Sequence, residues 1–126
     1  MAWPCRLITL TLEAERSGAV DLRIGDMWEA PWLLEGSFRD VLSEHYWKQW
    51  AGKRPPLLVR MPGRWEFSPD VCSRQHGVHV RDTGWHVFST PPMITVQPSV
   101  NAEGIYHGWI RAGFITDDYE GRRYDV

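Results

Sequence analysis

Residues 91–118, PPMITVQPSVNAEGIYHGWIRAGFITDD, constrain the fold most, because they alternate with a period of two and are interrupted twice by turn-forming residues. The spacing predicts three strands in a meander, at 93–100, 105–111 and 114 to 117 or 118. In the first, Ile94, Val96 and Pro98 fall on one side and Thr95, Gln97 and Ser99 on the other. A hairpin centred on Glu103 sets Ser99 opposite His107 and sends Tyr106, Gly108 and Ile110 to the core, leaving Ile105, His107 and Trp109 on the Ser99 face. A tight turn at Arg111, Ala112 and Gly113 then brings His107 opposite Asp117 if it is centred on Ala112, or opposite Asp118 if it is centred between Ala112 and Gly113. Opposed residues of an antiparallel pair have Cβ atoms about 4.5–5.5 Å apart. A hydroxyl, an imidazole and a carboxylate would therefore stand side by side, in the order a nucleophile, its general base and an orienting acid require.

Upstream, the same alternation recurs in shorter pieces. Residues 5–13 place Ile8, Leu10 and Leu12 on one face, and residues 19–24 place Val20, Leu22 and Ile24 inward, so a turn at Ser17 and Gly18 predicts a first hairpin. The segment DMWEAPWLLEG, 26–36, has no clean period and reads as an aromatic-rich loop or short irregular helix. The best helix signal is SEHYWKQWAG, 43–52, with Ser43 as N-cap, Glu44 in the first turn and Gly52 as C-cap. A second hairpin is expected from strands 57–61 and 65–67 around Pro62 and Gly63. Residues 68–84 read as a surface loop with weak strand character at 78–81, and 85–89 as a short strand leading into the meander. The expected fold class is mostly β (α+β): a compact antiparallel sheet or barrel-like meander with one short helix, in a single domain spanning 1–126.

Charge narrows the function classes. With 14 basic against 16 acidic side chains, the chain has no electrostatic footprint for nucleic acid. No apolar run approaches the roughly 20 residues of a membrane span, and the first fifteen residues lack the pattern of a secretory signal, so no membrane partner and a cytoplasmic location are expected. Cys5 and Cys72 are then expected as free thiols. Cys72, His76, His79, His86 and His107 offer a C-x3-H-x2-H spacing, but no second cysteine accompanies Cys72, and neither a metal nor another cofactor is expected. Eight tryptophans suit either a ring-rich core or a contact surface, for which Trp28, Trp32 and Trp109 are the candidate anchors.

The pattern P-x-M-I-T-V-Q-P-S-V, followed by Y-H-G-W-I-R-A-G and D-Y-E-G-R-R-Y, resembles a family of small bacteriophage-encoded proteins with a Pro-Ser-Ile/Val and Tyr/Trp-His-Gly-Phe/Trp core. YWKQWAGKRPPLLVRMP and the Gly84-Trp85 pair resemble the same family, so the likeness covers roughly residues 43–124. The family is similar to a domain of bacterial ubiquitin-like (Bub) operons proposed as their serine peptidase component. The resemblance implies a protein or peptide substrate in the host cytoplasm, Ser99 as nucleophile, His107 as base and then acid, and Asp118, ahead of Asp117, as the orienting carboxylate. The amino-terminal cysteine pairs that suggest zinc in the operon relatives are missing here. The alternative is a non-enzymatic phage protein, a virion component or an inhibitor of host defence, that binds through a tryptophan-rich surface. The sequence sets no oligomeric state.

Overall fold

The computed structural model describes residues 2–34, 52–70, 85–102, 104–119 and 122–123. Nearly all of the helix expected at 43–52, and most of the loop expected at 68–84, lie outside those residues. In chain order the elements are β1 (Ala2–Pro4), β2 (Arg6–Leu7), α1 (Leu12–Ser17), β3 (Asp26–Glu29), a 3-10 turn (Pro31–Leu34), β4 (Leu57–Met61), β5 (Trp65–Phe67), β6 (His86–Phe88), β7 (Thr95–Ala102), β8 (Tyr106–Arg111), β9 (Phe114–Thr116), β10 (Asp118–Tyr119) and β11 (Arg122–Arg123). They form a five-stranded antiparallel sheet in the order β1-β9-β8-β7-β6, a four-stranded sheet in the order β2-β3-β4-β5 with β2 parallel to β3, and the short β10-β11 ladder. The fold is mostly β, and both larger sheets are open, so the expected class is realised as sheets rather than a barrel.

Alternation explains how the two sheets meet. Leu57, Val59 and Met61 of β4 are buried at every second position, and they pack with Val96, Val100, Tyr106, Ile110 and Ile115 of the five-stranded sheet in the main core. On β3 the two faces are both covered. Met27 enters the main core, whereas Trp28 enters a second core with Leu10, Ala30 and Trp32, covered by residues of α1 and the 3-10 turn. The small sheet is thus the middle layer of three, which is why β3 has no polar face to mark it in the sequence.

The first hairpin expected at 5–13 and 19–24 is replaced by β2, α1 and an irregular return. Capping decides this segment. The Thr11 hydroxyl accepts the Ala14 N–H at 3.1 Å, Glu13 and Glu15 lie in the first turn, Arg16 in the last, and Gly18 closes the helix at φ 69°. Such a cap contributes about 0.5–2 kcal/mol, and the acids and the base complement the helix dipole. Leu12 and Ala14 then pack on the second core, a gain that a solvent-edge hairpin would lack.

The crossing between sheets depends on Gly25. Its N–H donates to Arg60 O at 2.9 Å, its carbonyl accepts from Arg6 N at 3.0 Å, and a Cβ placed there would collide with Pro4 O. With φ at 99°, the position suits glycine on conformational grounds as well.

Among the described residues, two carboxylates, Asp26 and Asp70, are buried in this frame. Asp26 accepts from Arg6 Nε at 3.0 Å and Nη2 at 3.1 Å, and from the Arg23 N–H at 2.9 Å. Asp70 accepts from Arg54 Nη1 at 2.9 Å and Nη2 at 3.0 Å, and from the Leu57 N–H at 2.8 Å. The second arrangement fixes the start of β4 against the turn that follows β5.

Candidate functional site

The meander expected at 93–118 is present as β7, β8 and β9, with Tyr106, Gly108 and Ile110 buried. Its register differs at the decisive point. Asn101, not Ser99, is the partner of His107, because the β7–β8 hairpin runs through Ala102↔Tyr106, Asn101↔His107 and Val100↔Gly108. Further along, Val96 pairs with Ile110, so Gln97, Pro98 and Ser99 together stand against Trp109 alone. The two surplus residues make a bulge, which contains the cis Gln97–Pro98 peptide. An even excess preserves the inward parity of Val96 and Val100, both buried, so the slip leaves the faces intact while moving Ser99 along the strand.

Ser99 is half-buried in this bulge, and its carbonyl accepts the Trp85 indole N–H at 3.3 Å. His107 is half-buried, two residues from Trp109 on the same face of β8. Diagonal neighbours in an antiparallel pair lie about 7–8 Å apart, within the span of a long side chain.

The aspartates lie past the β8–β9 ladder. Trp109 pairs with Thr116, Ile110 with Ile115 and Arg111 with Phe114, which centres the turn between Ala112 and Gly113. The ladder ends at Thr116; beyond Asp117 the chain continues as β10, which packs near β8 but pairs with β11, Asp118 with Arg123, so the expected ladder pairing of an aspartate with His107 is not formed. The charge of Asp117 is felt by Tyr106 on the core side. There the phenol pKa is raised, first by burial and then by the charges of Asp117 and Cys5.

Tyr106 is held over Gly108. Its hydroxyl donates to Thr116 O, and a Cβ on Gly108 would collide with both of these groups. The Tyr-His-Gly sequence therefore has a packing function: the tyrosine ring occupies the space that glycine leaves, and the intervening histidine is turned to the opposite face.

Of the three tryptophans expected as surface anchors, Trp28 is fully buried and Trp32 is 7% exposed, both in the second core. The expectation that they anchor a contact is corrected accordingly: α1 and the 3-10 turn cover that face of β3. Trp109 is half-buried on the outer face of the five-stranded sheet, with the Arg111 guanidinium 4.1 Å from its ring centroid. At β6, His86 stacks on Phe88 with ring centroids 4.4 Å apart. Each of these pairs is two residues apart on one strand, a spacing that could have been read as a shared face.

Cys5 is a free thiol. Burial pushes its pKa up to about 11, so it is protonated and weakly nucleophilic at neutral pH. Among the described residues no group of three or more His, Cys, Asp or Glu side chains is placed to hold a metal, and Cys72, His76 and His79 lie outside those residues. No described helix is long and apolar enough to cross a membrane. Comparison with known protein families, with curated proteins and with solved structures yields no match.

Proposed function

We propose that the chain is a serine hydrolase, acting on a protein or peptide, whose reacting groups lie on the outer face of the five-stranded sheet. Ser99 attacks the carbonyl, His107 takes the hydroxyl proton and returns it to the leaving group, and Asp118 orients the imidazole. The observation that carries this reading is the order of β7, β8 and β9 together with the β7–β8 register, which sets Ser99 diagonal to His107, while β10, which bears Asp118, lies near β8. The bulge at residues 97–99 supports it further, because bulges re-aim side chains beside active sites. So does the resemblance to phage proteins with a Pro-Ser and Tyr-His-Gly core.

A fluorophosphonate probe tests the assignment. The parent is expected to be labelled on Ser99, Ser99→Ala to lose labelling altogether, and His107→Ala to react at least about 100-fold more slowly, the usual contribution of a general base. Labelling of Ser99→Ala at the parental rate would remove Ser99 from the mechanism.

A second reading, a non-enzymatic binding protein, is favoured by the aromatic and cationic pairs on the same face. Phe88 is 43% exposed beside His86, and Phe114 is 46% exposed at the ladder position opposite Arg111, which covers Trp109. Aromatic and arginine side chains are enriched at binding hot spots. In pull-downs from infected cells this reading expects Ser99→Ala to retain the parental partner and Trp109→Ala to lose it. The hydrolase reading expects Ser99→Ala to trap a substrate that the parent releases.

A further inference from the structure

A cavity of about 310 Å³ lies between α1 with its return segment and the hairpin of β4 and β5. Leu10, Leu22 and Ile24 give it an apolar lining, while Glu15, Asp21, Glu66, Arg60 and Arg64 supply charge. Its volume is at the lower end of the range for small-molecule sites, about 300–1,000 Å³.

The charges do not balance within it, since the carboxylates of Glu15, Asp21 and Glu66 outnumber the guanidiniums of Arg60 and Arg64. Arg60 Nη1 is 2.8 Å from Glu66 Oε2, so the hairpin contributes one closed pair. Glu15 enters from α1 as an additional, half-buried carboxylate. Its pKa is raised first by desolvation and then by the charge of Glu66, against weaker opposition from the Trp28 N–H and Arg16. Trp28 does not line the cavity but bears on the same carboxylate. It is fully buried, its indole nitrogen is turned toward Glu15, and yet that nitrogen makes no hydrogen bond within normal geometry. A buried N–H left in this way is costly unless a state of the site satisfies it.

We infer that this cavity binds a small organic monocation with an apolar body, an alkylammonium, whose charged head sits between Glu15 and Glu66 and whose chain lies along Leu10 and Leu22. A cation there removes the repulsion between the two carboxylates. It also stabilises Glu15 as the anion, the better acceptor for the Trp28 N–H. The site is on the opposite side of the small sheet from the main core, so it stands or fails separately from the proposed hydrolase.

Titration calorimetry of the whole chain with n-hexylammonium chloride tests the inference, with sodium hexanoate, magnesium chloride and calcium chloride as comparison ligands. Saturable binding of hexylammonium is expected, with none of hexanoate. Glu15→Gln and Glu66→Gln, which change different elements, should each weaken binding at least about tenfold, the effect of one charge-assisted hydrogen bond. Glu13→Gln, on the exposed side of α1, should bind as the parent does. Affinity should rise with pH as Glu15, facing Glu66, Arg60 and Arg64 of the hairpin, Asp21 of the return segment, Arg16 of α1 and Trp28 of β3, loses its proton, in a range displaced upward from that of an ordinary glutamate. The inference is overturned if hexylammonium does not saturate, if hexanoate or the divalent ions bind equally well, or if both glutamine variants at 15 and 66 bind like the parent.

Discussion

Asp70→Ala is expected to lower the free energy of unfolding by about 3–5 kcal/mol, the cost of breaking a buried ion pair by removing one partner. Asp70 is fully buried, and its two oxygens receive both terminal nitrogens of Arg54 and the Leu57 N–H. Truncation leaves a guanidinium that is only 21% exposed without this carboxylate, and it orphans a backbone donor at the first residue of β4. Since small domains have about 5–15 kcal/mol in total, the variant should unfold at markedly lower urea with an unchanged slope. The Arg60–Glu66 pair is the natural control, because its side chains are 21% and 34% exposed. Screening holds such a pair to about 0–1 kcal/mol, so Glu66→Gln should change stability little. A loss below about 1 kcal/mol for Asp70→Ala would mean that the pair is not a structural tie.

Gly108→Ala is the second large effect, expected to cost at least about 3 kcal/mol, the upper end of overpacking in a core. The added methyl collides with Thr116 O, which is backbone, and with the Tyr106 hydroxyl that donates to it. Relief requires β9 to separate from β8 or the tyrosine to leave the core. Either movement breaks the contact between β8 and the segment carrying Asp117 and Asp118. Tyr106→Phe alone should cost only about 1 kcal/mol, the usual net value of one hydrogen bond. In the double variant one of the two colliding groups is gone while the carbonyl remains, so the two costs should sum to more than the measured loss. Additive costs in urea denaturation would show that the glycine and the tyrosine are not packed as one unit.

The faces of β8 are legible in the sequence. Alternation turns Tyr106, Gly108 and Ile110 inward, and they are buried. Strands β4 and β5 have the expected bounds, since Pro62 and Gly63 punctuate an alternation without competing signals. The α1 helix was also written locally, in Thr11, Glu13, Glu15, Arg16 and Gly18. The alternating leucines of the same run fit a strand equally well, because a short helix and a strand can share such a pattern.

Local sequence therefore determined where the strands of the meander lie, which side chains of β8 enter the core, and where the turn after Arg111 falls within half a residue. Tertiary structure decided which residue faces His107. A period of two sorts residues between faces but is blind to an even slip, so the bulge at residues 97–99 could replace Ser99 by Asn101 without moving an apolar group to solvent. The same limit applies to Trp28 of β3 and Trp32 of the 3-10 turn: whether such a ring meets water or a core depends on what other chain covers that face of β3. Here α1 and the 3-10 turn cover it, and the buried carboxylates Asp26 and Asp70 likewise acquire their partners only once segments about 16–20 residues apart are folded together.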